Sequence, residues 1–240
     1  MSSNKVAIVT GASSGIGKAI SKYLTKQSYE LLLIARDLDK LTKVKDEISL
    51  LNTEKKAVDI ANIDICDFEK LTPRLTTFIE QHGGVDVLVN CAGYVKRGTS
   101  DLDRNEFLKM LDVNLIGTFN LINLCVPYMK TKKKGRIINV ASHSGVVAKR
   151  YLGGYAASKF GVVGLSESLY KELAEYNIYV TAICPNLVST EMTADVNLPI
   201  SEMMDVKDVV KAVDFLMSLS NPVYIKEIVM QCRCKVLEEL

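Results

Sequence analysis

The sequence predicts an α/β fold: a doubly wound parallel sheet of about seven strands with helices on both faces, in three layers. Two observations predict it. Short apolar segments typical of buried strands alternate with longer amphipathic segments along the chain. A glycine-rich turn also separates the first strand from the first helix. No linker or internal repeat is visible, and a parallel α/β chain of 240 residues commonly forms one unit, so we expect a single domain over residues 1–240.

Composition excludes several classes of protein. The chain is 48% hydrophobic and 24% charged, and its net charge of +2 does not indicate a nucleic-acid partner. Its six cysteines form no C-x-x-C pair, so we expect reduced thiols in a cytoplasmic protein and no metal site. We see no signal peptide and no apolar run near the ~20 residues of a membrane span, so we expect no membrane association.

The first strand, Lys5–Thr10, leads into the glycine-rich turn Thr10–Gly17, and apolar residues then recur at helical spacing. Glycines at this junction let the backbone turn tightly and approach a pyrophosphate on the N–H groups of the helix start. The spacing G-x-x-x-G-x-G therefore predicts a dinucleotide site, with a purely structural turn as the alternative. The predicted cofactor contacts of this turn are Gly11, Ser13, Ser14, Gly15, Ile16 and Gly17.

The second strand, Glu30–Arg36, indicates which cofactor is bound. Proteins that bind NAD carry an acidic residue at the end of this strand to hold the ribose 2′-hydroxyl. Here Ala35 stands there, and the guanidinium of Arg36 suits a 2′-phosphate. We therefore predict NADP(H), with a surface ion pair between Arg36 and Asp37 or Asp39 as the alternative.

The middle of the chain continues the alternation and places a polar residue in an apolar helix. Asn114 lies within a predicted helix over 103–129 whose other residues on that face are apolar. A buried amide needs partners. Both a proton-relay role and a satisfied core asparagine are open for it. The preceding elements are a helix over 38–48, a strand with its exit over 55–65, a helix over 68–81 and a strand over 85–90 that leads into Cys91–Gly93.

Candidate catalytic residues follow the fifth strand. Ser142 ends the strand 136–142, where ligands bind in parallel sheets. Tyr155 and Lys159 are four residues apart on a predicted helix, 155–176, and so share one face. An ammonium beside a phenol lowers the phenol pKa, which makes Tyr155 a candidate acid and base. An ordinary surface pair is the alternative. The remaining predictions are a strand over 178–184 before Pro185, a lid over 186–204, a helix over 205–219 and a strand over 225–230.

Taken together, these motifs resemble the short-chain dehydrogenase/reductase family over essentially the whole chain. Asn114, Ser142, Tyr155 and Lys159 match its catalytic tetrad in order and spacing. Cys91 departs from its Asn-Asn-Ala-Gly element. The resemblance implies these further cofactor contacts: Asp64 with Ile65 at the adenine, Asn90, Ala92 and Gly93, Tyr155 and Lys159, and Pro185, Val188 and Thr190 near the nicotinamide.

The resemblance implies hydride transfer between the nicotinamide and a carbonyl carbon or secondary alcohol. Tyr155 would donate the proton, Ser142 would bind the carbonyl oxygen, Lys159 would lower the Tyr155 pKa, and Asn114 would hold a water that links Lys159 to solvent. The chain departs from the family at Asn186, where a glycine is usual. Its ending, 230–234, resembles loosely that of members acting on 3-oxo or 3-hydroxy acids.

Three further expectations concern substrate, assembly and class. Lys96 with Arg97, and Lys149 with Arg150, lie on loops that should flank the strand ends, which favours an acidic substrate; scattered solvated charge is the alternative. Relatives pair the two long helices, so we expect a homodimer or homotetramer. The alternative to an oxidoreductase is a non-catalytic NADP-binding sensor or scaffold, against which the complete tetrad argues.

Overall fold

A computed structural model describes residues 5–237 and confirms the predicted fold class. Its sheet has seven parallel strands in the order β3-β2-β1-β4-β5-β6-β7, with helices on both faces. The strands are β1 Lys5–Thr10, β2 Tyr29–Ala35, β3 Val58–Asn62, β4 Val87–Asn90, β5 Gly135–Val140, β6 Ile178–Pro185 and β7 Glu227–Met230.

Most helices lie where the amphipathic segments predicted them. A π-helical segment, Asp112–Ile116, joins the fourth helix to the fifth without a break, so the single regular helix expected over 103–129 carries a wider turn around Asn114. The helices are α1 Gly15–Lys26, α2 Leu38–Ser49, α3 Phe68–Gln81, α4 Arg104–Leu111, α5 Gly117–Lys132, α6 Gly153–Glu172, α7 Val206–Ser218 and α8 Arg233–Leu237.

Both faces of the sheet are buried, which explains the continuous apolar runs of the inner strands. Along β1, Ala7 and Val9 pack into the core under α1, α2 and α7, whereas Val6 and Ile8 pack into the core under α3 and α5. Because side chains alternate between the two faces of a strand, each inner strand contributes to both cores. The three layers follow from this division.

Several element boundaries differ from the predictions for local reasons. The third strand begins at Val58 rather than at residue 55, because Lys55 has a left-handed backbone with φ of 52° that a strand cannot contain. The fourth strand begins two residues later than expected, at Val87. The preceding residue, Asp86, uses its side-chain carboxylate to accept a hydrogen bond from Val6 N at 2.9 Å. The short helix α8 had no sequence prediction.

The order of the strands creates the opening in which a ligand can bind. β1 pairs with β2 on one side and with β4 on the other, so the chain's connections diverge between β1 and β4. Thr10 Oγ1 ties the two strand ends together, because it accepts hydrogen bonds from Cys91 N and Ala92 N, both at 3.1 Å. The loops at this edge form the site described below.

The helical stretch Arg104–Lys132 is long and apolar enough to pass a length and composition test for a membrane span. Half of its most apolar part is buried inside the fold, as in a core helix. Within residues 5–237 all six cysteines are free thiols, and no cluster of three or more His, Cys, Asp or Glu side chains could hold a metal ion.

Candidate active site

The turn between β1 and α1 depends on its glycines because other backbone segments pass very close to it. Gly11 has φ of 62°, and a Cβ there would lie 2.8 Å from Ala92 N. A Cβ on Gly17 would lie 2.3 Å from the carbonyl oxygen of Gly11. The first turn of α1 carries no acidic residue, so its free N–H groups present a positive field to an anion. These features fit the pyrophosphate of a dinucleotide.

A cavity of about 270 Å³, here called the switch-point cleft, runs along the carboxyl ends of β1, β2 and β4. The structure brings most of the predicted cofactor residues together along its wall, although they come from five separate segments of the chain. The predicted residues that line it are Gly11, Ser13, Ser14, Gly15, Ile16, Gly17, Arg36, Asp64, Ile65, Ala92, Gly93 and Thr190.

Five predicted cofactor residues do not line this cleft: Asn90, Tyr155, Lys159, Pro185 and Val188. Asn90 is buried, and its amide donates to Asn139 Oδ1 at 2.8 Å, so it ties β4 to β5 within the sheet. Val188 is also buried and pairs with Met204 in an isolated bridge. Eight further lining residues were not among the predicted cofactor contacts, and only Cys91 belongs to a motif: Ile34, Ala35, Asp37, Ile63, Cys91, Val113, Glu191 and Met192.

Arg36 lies in the wall of the cleft, at the end of β2. Its guanidinium is 3.8 Å from the carboxylate of Asp64, and both side chains are about half exposed. The alternative partner, Asp37, is used elsewhere, because it caps α2 by accepting from Lys40 N at 2.9 Å. Arg36 is therefore held near the cleft by a weak, solvent-screened pair that an incoming phosphate can replace.

Ser142 and Tyr155 meet just beyond the end of β5. Ser142 is buried, and its hydroxyl accepts from Ser144 N at 3.1 Å, which orients it at the start of a short 3₁₀ turn. A hydrogen bond from Ser142 lowers the pKa of the Tyr155 phenol, but burial raises that pKa more, so the net direction is upward. The phenol is thus protonated at neutral pH and positioned beside a second hydroxyl, as a proton donor to a carbonyl requires.

Lys159 does not lower the pKa of Tyr155 in this structure, contrary to the prediction. Its Nζ is 5.8 Å from the Tyr155 ring centroid and donates to the Val140 carbonyl at 3.0 Å. Burial lowers the pKa of Lys159 itself to about 8. The two residues do share a face of α6, as their spacing predicted, but desolvation and the hydrogen bond from Ser142 determine the direction of the Tyr155 pKa.

Asn114 is fully buried, and its side chain joins the catalytic segments. Its Oδ1 accepts from Tyr94 N at 2.7 Å, and its Nδ2 donates to the Tyr94 carbonyl and to Ser158 Oγ at 2.9 and 2.8 Å. Ser158 in turn donates to the Tyr155 carbonyl at 2.7 Å. Asn114 is thus a satisfied core amide with a positioning role, and the water relay stays a prediction. Ser158, which directly precedes Lys159, was not among the predicted site residues.

The two loops with paired cations lie against each other. Gly98 N donates to the Tyr151 carbonyl at 2.8 Å, and Gly153 N donates to Thr99 Oγ1 at 3.1 Å. Arg150 stacks on the ring of Tyr151, 4.6 Å from its centroid. The cations of both loops therefore belong to one region beside the catalytic residues.

The turn after β6 tolerates the departure at Asn186. This residue has no positive φ, so the conformation that favours glycine is not needed there. Its backbone N–H donates to the Met230 carbonyl at 2.9 Å, and its side-chain Oδ1 accepts from Lys149 Nζ at 3.3 Å.

Comparison with known proteins agrees with this geometry. The sequence model of the short chain dehydrogenase family matches residues 5–200. An uncharacterized oxidoreductase of Staphylococcus saprophyticus is 33% identical over 226 residues, 94% of this chain and 96% of the relative. A solved betaketoacyl-ACP reductase from Bacteroides thetaiotaomicron is 35% identical with a TM-score of 0.86, covering 98% and 99% of the two chains.

A solved variant of actinorhodin polyketide ketoreductase with NADPH is 28% identical with a TM-score of 0.84, over 94% of this chain and 95% of that one. The family match covers far more than half of the chain, and the sheet order, glycine turn and catalytic segments agree with it. The chain therefore belongs to the short-chain dehydrogenase family, whose members are oxidoreductases that bind nicotinamide cofactors.

Proposed function

We propose that the protein is an NADP(H)-dependent oxidoreductase that transfers a hydride between nicotinamide and a carbonyl or secondary alcohol, with a 3-oxo or 3-hydroxy acid or its thioester as substrate. The observation that carries the proposal is the meeting of Ser142 and Tyr155 at the carboxyl end of β5, with Lys159 one helical turn away. Lys159 is buried there, and burying an amine is unfavourable, which supports a functional role for it.

Each side chain has a defined task in carbonyl reduction. When bound, the nicotinamide supplies the hydride. Ser142 donates a hydrogen bond to the carbonyl oxygen and stabilises its developing charge. Tyr155, which burial keeps protonated, donates its proton to that oxygen. Lys159 holds a proton close to Tyr155, and its lowered pKa allows that proton to exchange near neutral pH.

The preference for NADP(H) rests on Arg36. It lies in the wall of the switch-point cleft at the end of β2, where no acidic residue occupies the strand's last position, Ala35. A guanidinium binds a phosphate with two parallel hydrogen bonds. This interaction is stronger than the 3.8 Å contact between Arg36 and Asp64.

The acidic substrate class rests on the cations of the adjoining loops. Lys96, Arg97 and Arg150 are exposed, and Lys149 is half-buried. Positive charges gathered in one region raise the local concentration of anions and increase their rate of encounter. The solved Bacteroides thetaiotaomicron relative is a betaketoacyl-ACP reductase, which supports the same class.

The decisive experiment follows NADPH and NADH absorbance with a panel of 3-oxo esters, 3-oxo thioesters and simple ketones. We expect turnover with NADPH, and Tyr155→Phe should lower kcat about 100- to 10,000-fold because it removes the proton donor. The NADPH dissociation constant should change little. Tight NADPH binding with no turnover across the panel would instead support a sensor or scaffold.

A further inference from the structure

The side-chain amide of Asn186 has a fixed orientation. Lys149 Nζ lies 3.3 Å from Asn186 Oδ1. Because an ammonium only donates hydrogen bonds, it selects the oxygen end of the amide and turns Nδ2 to the opposite side. Nδ2 is shielded from solvent and finds no hydrogen-bond acceptor among residues 5–237. Asn186 therefore presents an oriented, buried N–H donor.

The sheet register places this donor beside the catalytic serine. β5 and β6 are parallel, and Val140 pairs with Ile183. Continuing that register sets Ser142 opposite Pro185, with Asn186 one residue beyond. Neighbouring strands are ~4.8 Å apart, so Asn186 borders the place where Ser142 would hold the reacting carbonyl.

A buried donor without an acceptor is unfavourable, and such groups in native proteins usually meet a partner. The partner expected next to an ammonium is an oxygen with full or partial negative charge, such as a carboxylate oxygen or the carbonyl oxygen of an ester or thioester. We propose that Asn186 Nδ2 and Lys149 Nζ bind a second oxygen of the substrate, close to the reacting carbonyl. The proposal rests on the function proposed above, and it selects 3-oxo acid derivatives over simple ketones.

One competing arrangement lies next to this site. Gln231 Oε1 is also buried and has no hydrogen-bond partner within residues 5–237. The backbone bond between Asn186 N and the Met230 carbonyl brings Gln231 near Asn186. Should the two amides bond each other, Asn186 would be structural, and the experiment below separates this outcome from substrate binding.

The test compares two neutral substrates of equal chain length, ethyl 3-oxobutanoate and 2-heptanone, which differ in the ester group. Neutral substrates remove the general attraction of the surrounding cations. We expect Asn186→Leu to lower kcat/KM for the ester about tenfold, the effect of one hydrogen bond of ~1.4 kcal/mol. The value for the ketone should stay unchanged. Lys149→Met should also reduce the preference for the ester. Lys43→Met, at an exposed position on α2, should change kcat/KM for neither substrate.

The outcomes are distinct. An unchanged ester-to-ketone ratio in both variants overturns the proposal. Equal losses for both substrates with weaker NADPH binding also overturn it, because Asn186 would then act on the cofactor. A lower melting temperature in Asn186→Leu and Gln231→Met with an unchanged ratio identifies a structural amide pair and overturns it too.

Complete absence of turnover in the parent protein would contradict the proposed function rather than this inference. The dissociation constant of ethyl 3-oxobutanoate, measured by NMR on the NADP⁺-saturated protein, then becomes the readout. Weaker binding to Asn186→Leu than to the parent supports the second-oxygen site, and equal binding overturns it.

Discussion

At the scale of single residues, burial controls the ionisation of Tyr155 and Lys159. Desolvation raises the pKa of the phenol and lowers that of the amine, in both cases toward the neutral form. The two effects suit reduction, because the phenol keeps its proton while the lysine can exchange one. The pair therefore combines a stable proton donor with a group that titrates near neutral pH.

Lys159 makes protein stability depend on pH in a defined window. Its pKa is about 8 in the folded protein against an ordinary 10.5, so between these values the unfolded chain binds more protons. The free energy of unfolding therefore rises with pH through this window, by up to about 3 kcal/mol, and this contribution is lost as the pH falls to 8. Chemical denaturation of the parent and of Lys159→Met along this pH range measures the difference.

Lys43→Met serves as the control for that series, because an exposed lysine should leave the pH dependence as it is in the parent. A parallel pH dependence in the parent and in Lys159→Met would contradict the lowered pKa.

Arg36 should determine the preference between the two cofactors. Arg36→Asp removes the cation that we propose binds the 2′-phosphate and adds a carboxylate that would repel it. We expect NADPH affinity to fall about tenfold to a hundredfold, while NADH affinity stays equal or improves. Isothermal titration with both cofactors measures this. Lys207→Asp makes the same change of charge at an exposed position on α7 and should leave both affinities unchanged. Equal affinities of the parent for NADH and NADPH would contradict the prediction.

At the scale of the elements, the junction of β1 and α1 forms part of the proposed cofactor site and leaves no room for a side chain at Gly17. Gly17→Ala would place a Cβ 2.3 Å from the Gly11 carbonyl oxygen, a backbone atom that cannot move without reshaping the turn. We expect a loss of about 1–3 kcal/mol in stability together with much weaker NADPH binding. Thermal unfolding and a binding titration check both.

Gly164→Ala is the matched control within α6, because a Cβ there meets nothing within 4 Å. Alanine is the better helix former, so this variant should match or exceed the parent's stability. Normal NADPH affinity in Gly17→Ala would show that the close approach of the turn is not needed.

At the scale of the whole molecule, the outer surfaces of α5 and α6 expose apolar side chains that the single chain leaves uncovered. Phe119 is 47% exposed and Phe160 is 44% exposed, and Ile116 beside α5 is 46% exposed. Exposed apolar surfaces on long helices commonly mark an interface. We expect a homodimer or homotetramer by light scattering at micromolar concentration.

The double variant Phe119→Asp with Phe160→Asp should dissociate it, because burying two carboxylates without partners is unfavourable. Leu50→Asp makes the same change at a side chain that is 87% exposed after α2 and should keep the parent's mass. A monomeric parent protein would contradict the prediction.

The sequence by itself determined the order of strands and helices along the chain, their strand–helix alternation and the residues that lie at the strand ends. Those features depend on local patterns: apolar runs for strands buried on both faces, helical periodicity, and the spacing of glycines and of Tyr155 and Lys159. The sequence did not determine every boundary, because a left-handed residue such as Lys55 delays the start of a strand without any signal in the apolar pattern.

Only the tertiary structure decided how the site residues interact. The partners of Asn114, the pairing of Arg36 with Asp64 and the direction of the Tyr155 pKa each depend on groups far away in the sequence. Motif spacing places a residue on a helix face or at a strand end. It does not report how deeply the fold buries that residue, and burial determines both its charge and the hydrogen bonds that it must make.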